Sequence, residues 1–306
     1  VALVAGLCAI LERGGWAGEN DLVVTRLAQV DNTAGVGPCG VGIRCDVAGY
    51  RSLVSELGTV IAPRWSAPAD TLGWSGFQLS AELGTTSISD KATYWRTQQK
   101  LSSINDVSTS PNGTLPTFSV FARKGIPLPF PSMEVGAGML HVLGSSLYAF
   151  QGYAKLALHE GYHGDLWPSV AMRFGMSRLY GTEQLSLTVL SADALLSKRF
   201  TVGSMATMTP YAGWSRLYML VRAQALDATP NVDAFGAPAD LSAVFVFPNP
   251  KGLHRDRLVV GVEAKSHHVT LTAEYAMTFA GSTSDGDATD QAGRQHSTQF
   301  GVGVDF

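Results

Sequence analysis

From about residue 74 to its end, this chain alternates apolar with polar residues or glycine in runs far longer than a soluble strand requires. "GFQLSAELGTT" sets Phe77, Leu79, Ala81 and Leu83 on one face and Gln78, Ser80 and Glu82 on the other. "HVTLTAEYAMTF" places Val269, Leu271, Ala273, Tyr275, Met277 and Phe279 against Thr270, Thr272, Glu274 and Thr278. "RLVVGVEAK" does the same with Leu258, Val260, Val262 and Ala264 against Arg257, Gly261, Glu263 and Lys265. A period of two marks β-strands, because successive side chains point to opposite faces. Strands of globular proteins average about five or six residues. Runs of about nine to twelve instead suit strands crossing a thin apolar layer at a tilt.

The polar face carries Glu82, Glu134, Lys155, Arg173, Glu263, Lys265 and Glu274, charges that hydrocarbon would penalise heavily. They must turn to an interior, leaving the apolar face for lipid. Composition agrees: the chain is 45% hydrophobic but only 15% charged, well below the roughly 25% of a typical soluble domain. No apolar run reaches the roughly 18 residues of a membrane-spanning helix. A formal charge of −3 without a basic stripe gives no footprint for nucleic acid. The expected fold is all-β: a transmembrane antiparallel up-and-down β-barrel of about 10 strands (8–12) over residues 72–306.

Strands are expected near residues 74–84, 117–123, 132–142, 147–158, 168–178, 183–192, 204–222, 257–265, 268–279 and 297–306. An even number puts both ends of the barrel on one side. The long polar connections 85–116, 223–256 and 280–296 then fall on the opposite side. The connections on the side of the termini are short: "SHH", "ADALLSKRF", "HEGYHGDLW" and "KGIPLPFP". Long outer loops and short periplasmic turns are the asymmetry of an outer-membrane barrel. Within 201–222 the alternation slips near Gly213, which allows a bulge or an extra hairpin. "AVFVFP" (243–248) reads as part of a hairpin within a loop. Trp74, Trp167, Tyr180, Tyr211 and Trp214 near strand ends read as anchors at the membrane interface.

Residues 1–17, "VALVAGLCAILERGGWA", resemble the tail of a secretory signal, an apolar run followed by a small-x-small pattern, with a short buried strand or helix as the alternative. Residues 18–71 are rich in Gly and Pro and are expected to form a periplasmic element or a plug in the barrel mouth. A short helix with Leu53, Leu57 and Ile61 on one face ends at Pro63. Cys39 and Cys45 are close enough to close a small loop by a disulfide in an oxidising compartment; the alternative is two free thiols.

"HEGYH" (159–163) matches H-E-x-x-H, in which two histidines one helical turn apart bind zinc and the glutamate is the base. Gly161 costs about 1 kcal/mol of helix propensity relative to Ala, and the residues upstream, Tyr148 to Leu158, run at period two. The match is therefore read as fortuitous, in a polar turn, with no metal or cofactor implied. His141, Ser145, Ser146, His267, His268 and Asp305 offer the residue types of a hydrolase at the barrel rim, but no spacing fixes a pairing. The lumen candidates Glu134, Lys155, Arg173, Glu263, Lys265 and Glu274 either form an interior salt-bridge network or line a narrow polar path. A barrel of this size holds little beyond its own side chains.

The last segment, "TQFGVGVDF", sets Phe300, Val302, Val304 and Phe306 on one face and ends on an aromatic. It resembles the terminal strand of Gram-negative outer-membrane β-barrels, of a family without a characterised activity. That resemblance implies an outer-membrane location with periplasmic termini. It also implies contact with outer-membrane lipid and lipopolysaccharide, and handling of the last strand by the barrel-assembly machinery. A structural, adhesion or scaffold role without enzymatic activity is expected, with partners met by the long loops. A small-solute channel and a rim hydrolase are the alternatives.

Overall fold

The computed structural model describes residues 20–31, 35–96, 112–126, 132–161, 167–203, 206–227, 244–286 and 288–306. The signal-like stretch 1–17 lies outside them. Ten long strands follow one another: β1 (Phe77–Ser87), β2 (Thr114–Ile126), β3 (Ser132–Val142), β4 (Tyr148–His159), β5 (Ser169–Tyr180), β6 (Leu185–Ser197), β7 (Ala206–Ala223), β8 (His254–Ser266), β9 (Val269–Thr278) and β10 (Gln295–Asp305). Each pairs antiparallel with the next, and β10 pairs back onto β1 from Asp305↔Gln78 to Ser297↔Thr86. The sheet therefore closes on itself and leaves no edge exposed. Every strand exceeds the globular average, and the outward face is an apolar belt that includes Leu83, Phe150, Phe174, Leu190, Leu220 and Phe300. Among the described residues no helix is long and apolar enough to cross a membrane.

Several strands differ in their bounds from those expected: Lys124–Ile126, expected in the turn "KGIPLPFP", continue β2 in its ladder with β3. "ADALLS" belongs to β6, not to a turn, because Asp193 and Leu195 sit on its buried face and continue the ladder with β7. β7 is an unbroken strand with neither bulge nor inserted hairpin at Gly213. The pattern slips because the buried face changes from polar to apolar there: Thr209, Tyr211, Gly213 and Ser215 give way to Leu217 and Met219. Tyr211, expected at the interface, is buried in the lumen instead, with its hydroxyl donating to Glu274 Oε2 at 3.0 Å. Trp74, Trp167, Tyr180 and Trp214 are exposed. "AVFVFP" does contribute to a loop hairpin, with Val244–Phe245 paired to Leu226–Asp227.

The ends of the barrel are called here the near mouth, where Phe77 and Phe306 pair, and the far mouth. At the far mouth lie the turn between β3 and β4 and the long connections. The helix α1 (Val47–Val60) lies within the lumen, buried from Gly49 to Val60. Asp46 caps it by accepting from Gly49 N at 2.7 Å, which satisfies one of the amides a helix start leaves free. Leu53 and Leu57 pack with wall residues of its far half, among them Leu140, Leu187, Val189 and Leu217. The expectation of a short helix ending near Pro63 thus corresponds to α1.

Candidate functional site: the occupied lumen

Past α1 the chain runs without regular structure from residue 61 to residue 76. Its backbone groups need partners, since buried amides and carbonyls are costly when unpaired. The barrel wall supplies them. Gln151 Nε2 donates to the carbonyls of Ile61 (2.9 Å) and Ala62 (3.3 Å). Arg257 Nη2 donates to Pro63 O at 3.1 Å, and Arg173 Nη2 to Arg64 O. The Ser66 amide donates to Glu274 at 3.0 Å and the Ala69 amide to Ser197 Oγ at 3.1 Å. Lys155 Nζ reaches Pro68 O at 3.1 Å and Asp70 O at 2.7 Å. The Leu72 amide donates to Glu134 at 3.0 Å. Seven side chains from six different strands thus hold one segment of main chain, in place of a sheet partner.

Close approach depends on missing side chains. A Cβ at Gly213 would stand 2.6 Å from the ring of Trp65, and one at Gly175 2.8 Å from Pro63. Both glycines face the lumen where the segment passes.

The far half of the lumen is tied by one carboxylate. Glu56 of α1 accepts from Ser89 N (2.9 Å), Ser89 Oγ (2.5 Å), Tyr94 OH (2.9 Å), Trp95 Nε1 (2.6 Å) and Gly293 N (3.0 Å). Tyr94 and Trp95 belong to the short helix α2 (Thr93–Arg96) between β1 and β2, and Gly293 to the β9–β10 connection. Two loops of the far mouth are therefore fastened to the helix. From the β7–β8 connection, Phe247 stacks on Tyr50 at 4.4 Å between centroids.

Of the charged residues expected inside, Glu134, Lys155, Arg173 and Glu274 are buried in the lumen and touch the threaded segment. Lys155 pairs with Glu134 at 3.1 Å, and Glu82 with Arg123 at 3.3 Å. Glu263 and Lys265 sit lower, beside a cavity of about 330 Å³ at the near mouth that Asp70, Arg199 and Asp305 also line. Lys265 pairs there with Asp305 at 2.5 Å and is partly exposed. Sequence reasoning missed Glu56, Gln151 and Arg257. Gln151 and Arg257 do stand on the polar side of their alternating runs, and that was the available signal. Glu56 had none, because a glutamate on a short helix reads as its solvent face.

Residues 20–31 and 35–46 lie at the far mouth, where the Asn20 amide donates to Gly144 O at 3.0 Å and Ser146 donates to Asp21. Short ladders, Ala28–Val30 with Ile43–Cys45 and Val36–Gly37 with Gly40–Val41, are closed by a disulfide between Cys39 and Cys45. The N-terminus, expected on the periplasmic side with the C-terminus, lies outside the described residues. The chain at residue 20 and the chain at residue 306 are at opposite mouths, because the lumen segment carries the chain from one to the other. Strand parity fixes the ends of the barrel alone.

His159 is the last residue of β4, and its Nδ1 faces Pro168 O at 3.2 Å. Strand geometry at this position does not provide the helical turn that zinc ligation by H-E-x-x-H uses; His163 lies outside the described residues. Glu160 instead accepts from Thr71 N (2.8 Å), Thr71 Oγ1 (2.6 Å) and Ser132 Oγ (2.9 Å), clasping the segment where it leaves the lumen. The rim residues are split between the two mouths. His141, Ser145 and Ser146 surround the β3–β4 turn, whereas His267, His268 and Asp305 lie at the near mouth. Phe300, Val302, Val304 and Phe306 all face outward.

No family model matches the sequence, and no curated protein matches it. Among solved structures, the chain is similar to Neisserial surface protein A (15% identity, 76% of this chain and 96% of that one, TM-score 0.28). It is similar as well to the translocator domain of the autotransporter NalP from Neisseria meningitidis (14%, 84% and 96%, 0.35). A third is LpxR from Salmonella typhimurium (10%, 72% and 99%, 0.29). At these identities and TM-scores the likeness carries no argument, and the fold rests on the strand pairing itself. That fold, a closed ten-stranded antiparallel barrel with an apolar outer belt, is the outer-membrane kind.

Proposed function

We propose that the protein is a non-enzymatic anchor and scaffold of the outer membrane, which presents residues 20–46 and the far-mouth loops on the cell surface. The observation that carries this reading is the path of the chain. It is fixed at the far mouth through Asn20 and Asp21, passes down the lumen, and is clasped at the near mouth by Glu160 and Glu134. The short turns on the side of Phe77 and Phe306, against the long connections at the other end, support a periplasmic near mouth. The disulfide-closed ladders then stand outside, where an oxidising environment keeps them closed. Exposed Val36 and Val41 at their tip, with the loops, would form the contact surface. The centre of the connections 85–116 and 223–256, expected to meet partners, lies outside the described residues.

The test is accessibility on whole cells. A short epitope inserted after Gly35 should bind antibody on intact cells, and one inserted at His267 only after permeabilisation. Exposure of the His267 tag alone on intact cells would reverse the orientation and end this reading.

A further inference from the structure

The cavity of about 330 Å³ at the near mouth lies between the threaded segment, at Pro68, Asp70 and Leu72, and wall residues that include Gln78, Thr207 and Glu263. Its charges pair off one by one. Glu134 takes Lys155 at 3.1 Å, Glu82 takes Arg123 at 3.3 Å, Asp70 takes Arg199 at 3.4 Å and Asp305 takes Lys265 at 2.5 Å. Glu263 is left over. Arg123, Lys155 and Lys265 act on it from a distance, but each of them already has a nearer carboxylate, and Asp305 faces Glu263 as well. Among the described residues, no hydrogen bond or ion pair engages the Glu263 carboxylate. The rim adds Glu160 on the acidic side and the exposed His267 on the other.

The hydrogen-bonding account points the same way. Gln78 Nε2 donates to Asp305 Oδ1 at 2.7 Å, so Gln78 Oε1 is the amide's remaining atom. It and Asp70 Oδ1 are buried and accept no hydrogen bond. Both side chains are buried and both line the cavity. Against these acceptors, the buried donor left open in the lining is Arg123 Nε, whose guanidinium already serves Glu82. A carboxylate and two oxygens that can only accept call for a ligand rich in N–H groups, and a charged donor bonds a carboxylate most strongly. A metal ion fits less well, since no three His, Cys, Asp or Glu side chains among the described residues are grouped to hold one.

We propose that this cavity binds a small organic cation with a primary ammonium group, its N–H donors directed at Glu263 and its short carbon chain against Ala67, Pro68 and Leu72. One positive charge balances the one carboxylate that the wall leaves without a partner. The site is the same whichever compartment the near mouth faces, and it is separate from any role in display.

The experiment is a fluorine NMR titration of a fluorine-labelled propylammonium ion against the full chain purified in an uncharged detergent. Saturable broadening of the fluorine signal is expected. Unlabelled propylammonium should reverse it, and an equal concentration of tetramethylammonium, which has the charge but no N–H, should not. Glu263→Gln should weaken binding by about tenfold or more. No saturable broadening with the wild-type protein, displacement by the two ions alike, or undiminished binding to Glu263→Gln overturns the site. Should Glu263→Gln fail to fold, Thr207→Trp, which fills the cavity from its lining, takes its place: loss of the broadening supports the site, and its survival overturns it.

Discussion

The two halves of the lumen hold the same chain by opposite means. In the far half, α1 satisfies most of its own backbone, so much of the wall facing it can be apolar, and Leu140, Leu187, Val189 and Leu217 supply that. In the near half the segment forms neither helix nor strand, so the wall turns polar and Gln151, Lys155, Glu134, Glu274 and the two arginines take the place of a helix's ladder. A lumen's chemistry therefore follows the secondary structure of its occupant, which is more than the rule that barrels are polar inside.

The contrast can be broken at its polar end first. Lys155→Met strands Glu134 and the carbonyls of Pro68 and Asp70, and should cost about 3–5 kcal/mol. Adding Glu134→Gln removes the stranded charge and should recover part of that loss, as read by urea unfolding in lipid vesicles. Equal destabilisation of single and double variants would mean that water enters the near half freely. In the apolar half, Leu57→Ala should cost ~2–5 kcal/mol through the cavity it leaves, while Leu57→Met should cost under about 1.5 kcal/mol. The polar half has no comparably tolerated swap at Lys155.

The smallest effect is expected at the far mouth, in the β9–β10 connection. Burial pushes the Asp290 carboxyl up from its ordinary range, against the opposing effects of its bonds to Ser55 and the Ala292 amide and the nearby Arg255 and Arg51. A carboxyl whose folded pKa is raised stabilises most below its unfolded value of about 3.9. That contribution is lost as pH rises through the folded value. The connection should therefore dock on α1 more firmly as pH falls from neutral towards about 4. A spin label at Ser284→Cys should lose mobility over that interval, and Asp290→Asn should flatten the response. A response that survives Asp290→Asn assigns the titration to another group.

What could be read from the sequence divides along the same line. Where the occupant is extended, the wall alternates cleanly, and Glu134, Lys155, Arg173 and Glu274 were identifiable as interior residues. Where the occupant is a helix, Leu217 and Met219 made β7 apolar on both faces and its course looked irregular. Tyr211 and Gly213 failed for a related reason: an aromatic and a glycine near a strand's lower half read as interface and bulge unless Trp65 and Glu274 are known to meet them. The threading itself left no local mark, because residues 61–76 carry no period and the wall partners named above are 62 to 208 positions away.

The path of the segment also confines it by shape alone. The ten strands form a ring that the same polypeptide passes through, so residues 47–72 can leave only lengthwise. Towards the near mouth they would have to draw the disulfide-closed ladders of residues 28–45 through a lumen packed with side chains. Towards the far mouth they are leashed to β1 by the residues between Leu72 and Phe77, a slack of roughly 14 Å even when fully straightened. Every hydrogen bond in the lumen could be broken at once and the segment would still be captive, a bead on a string knotted on one side and tied short on the other.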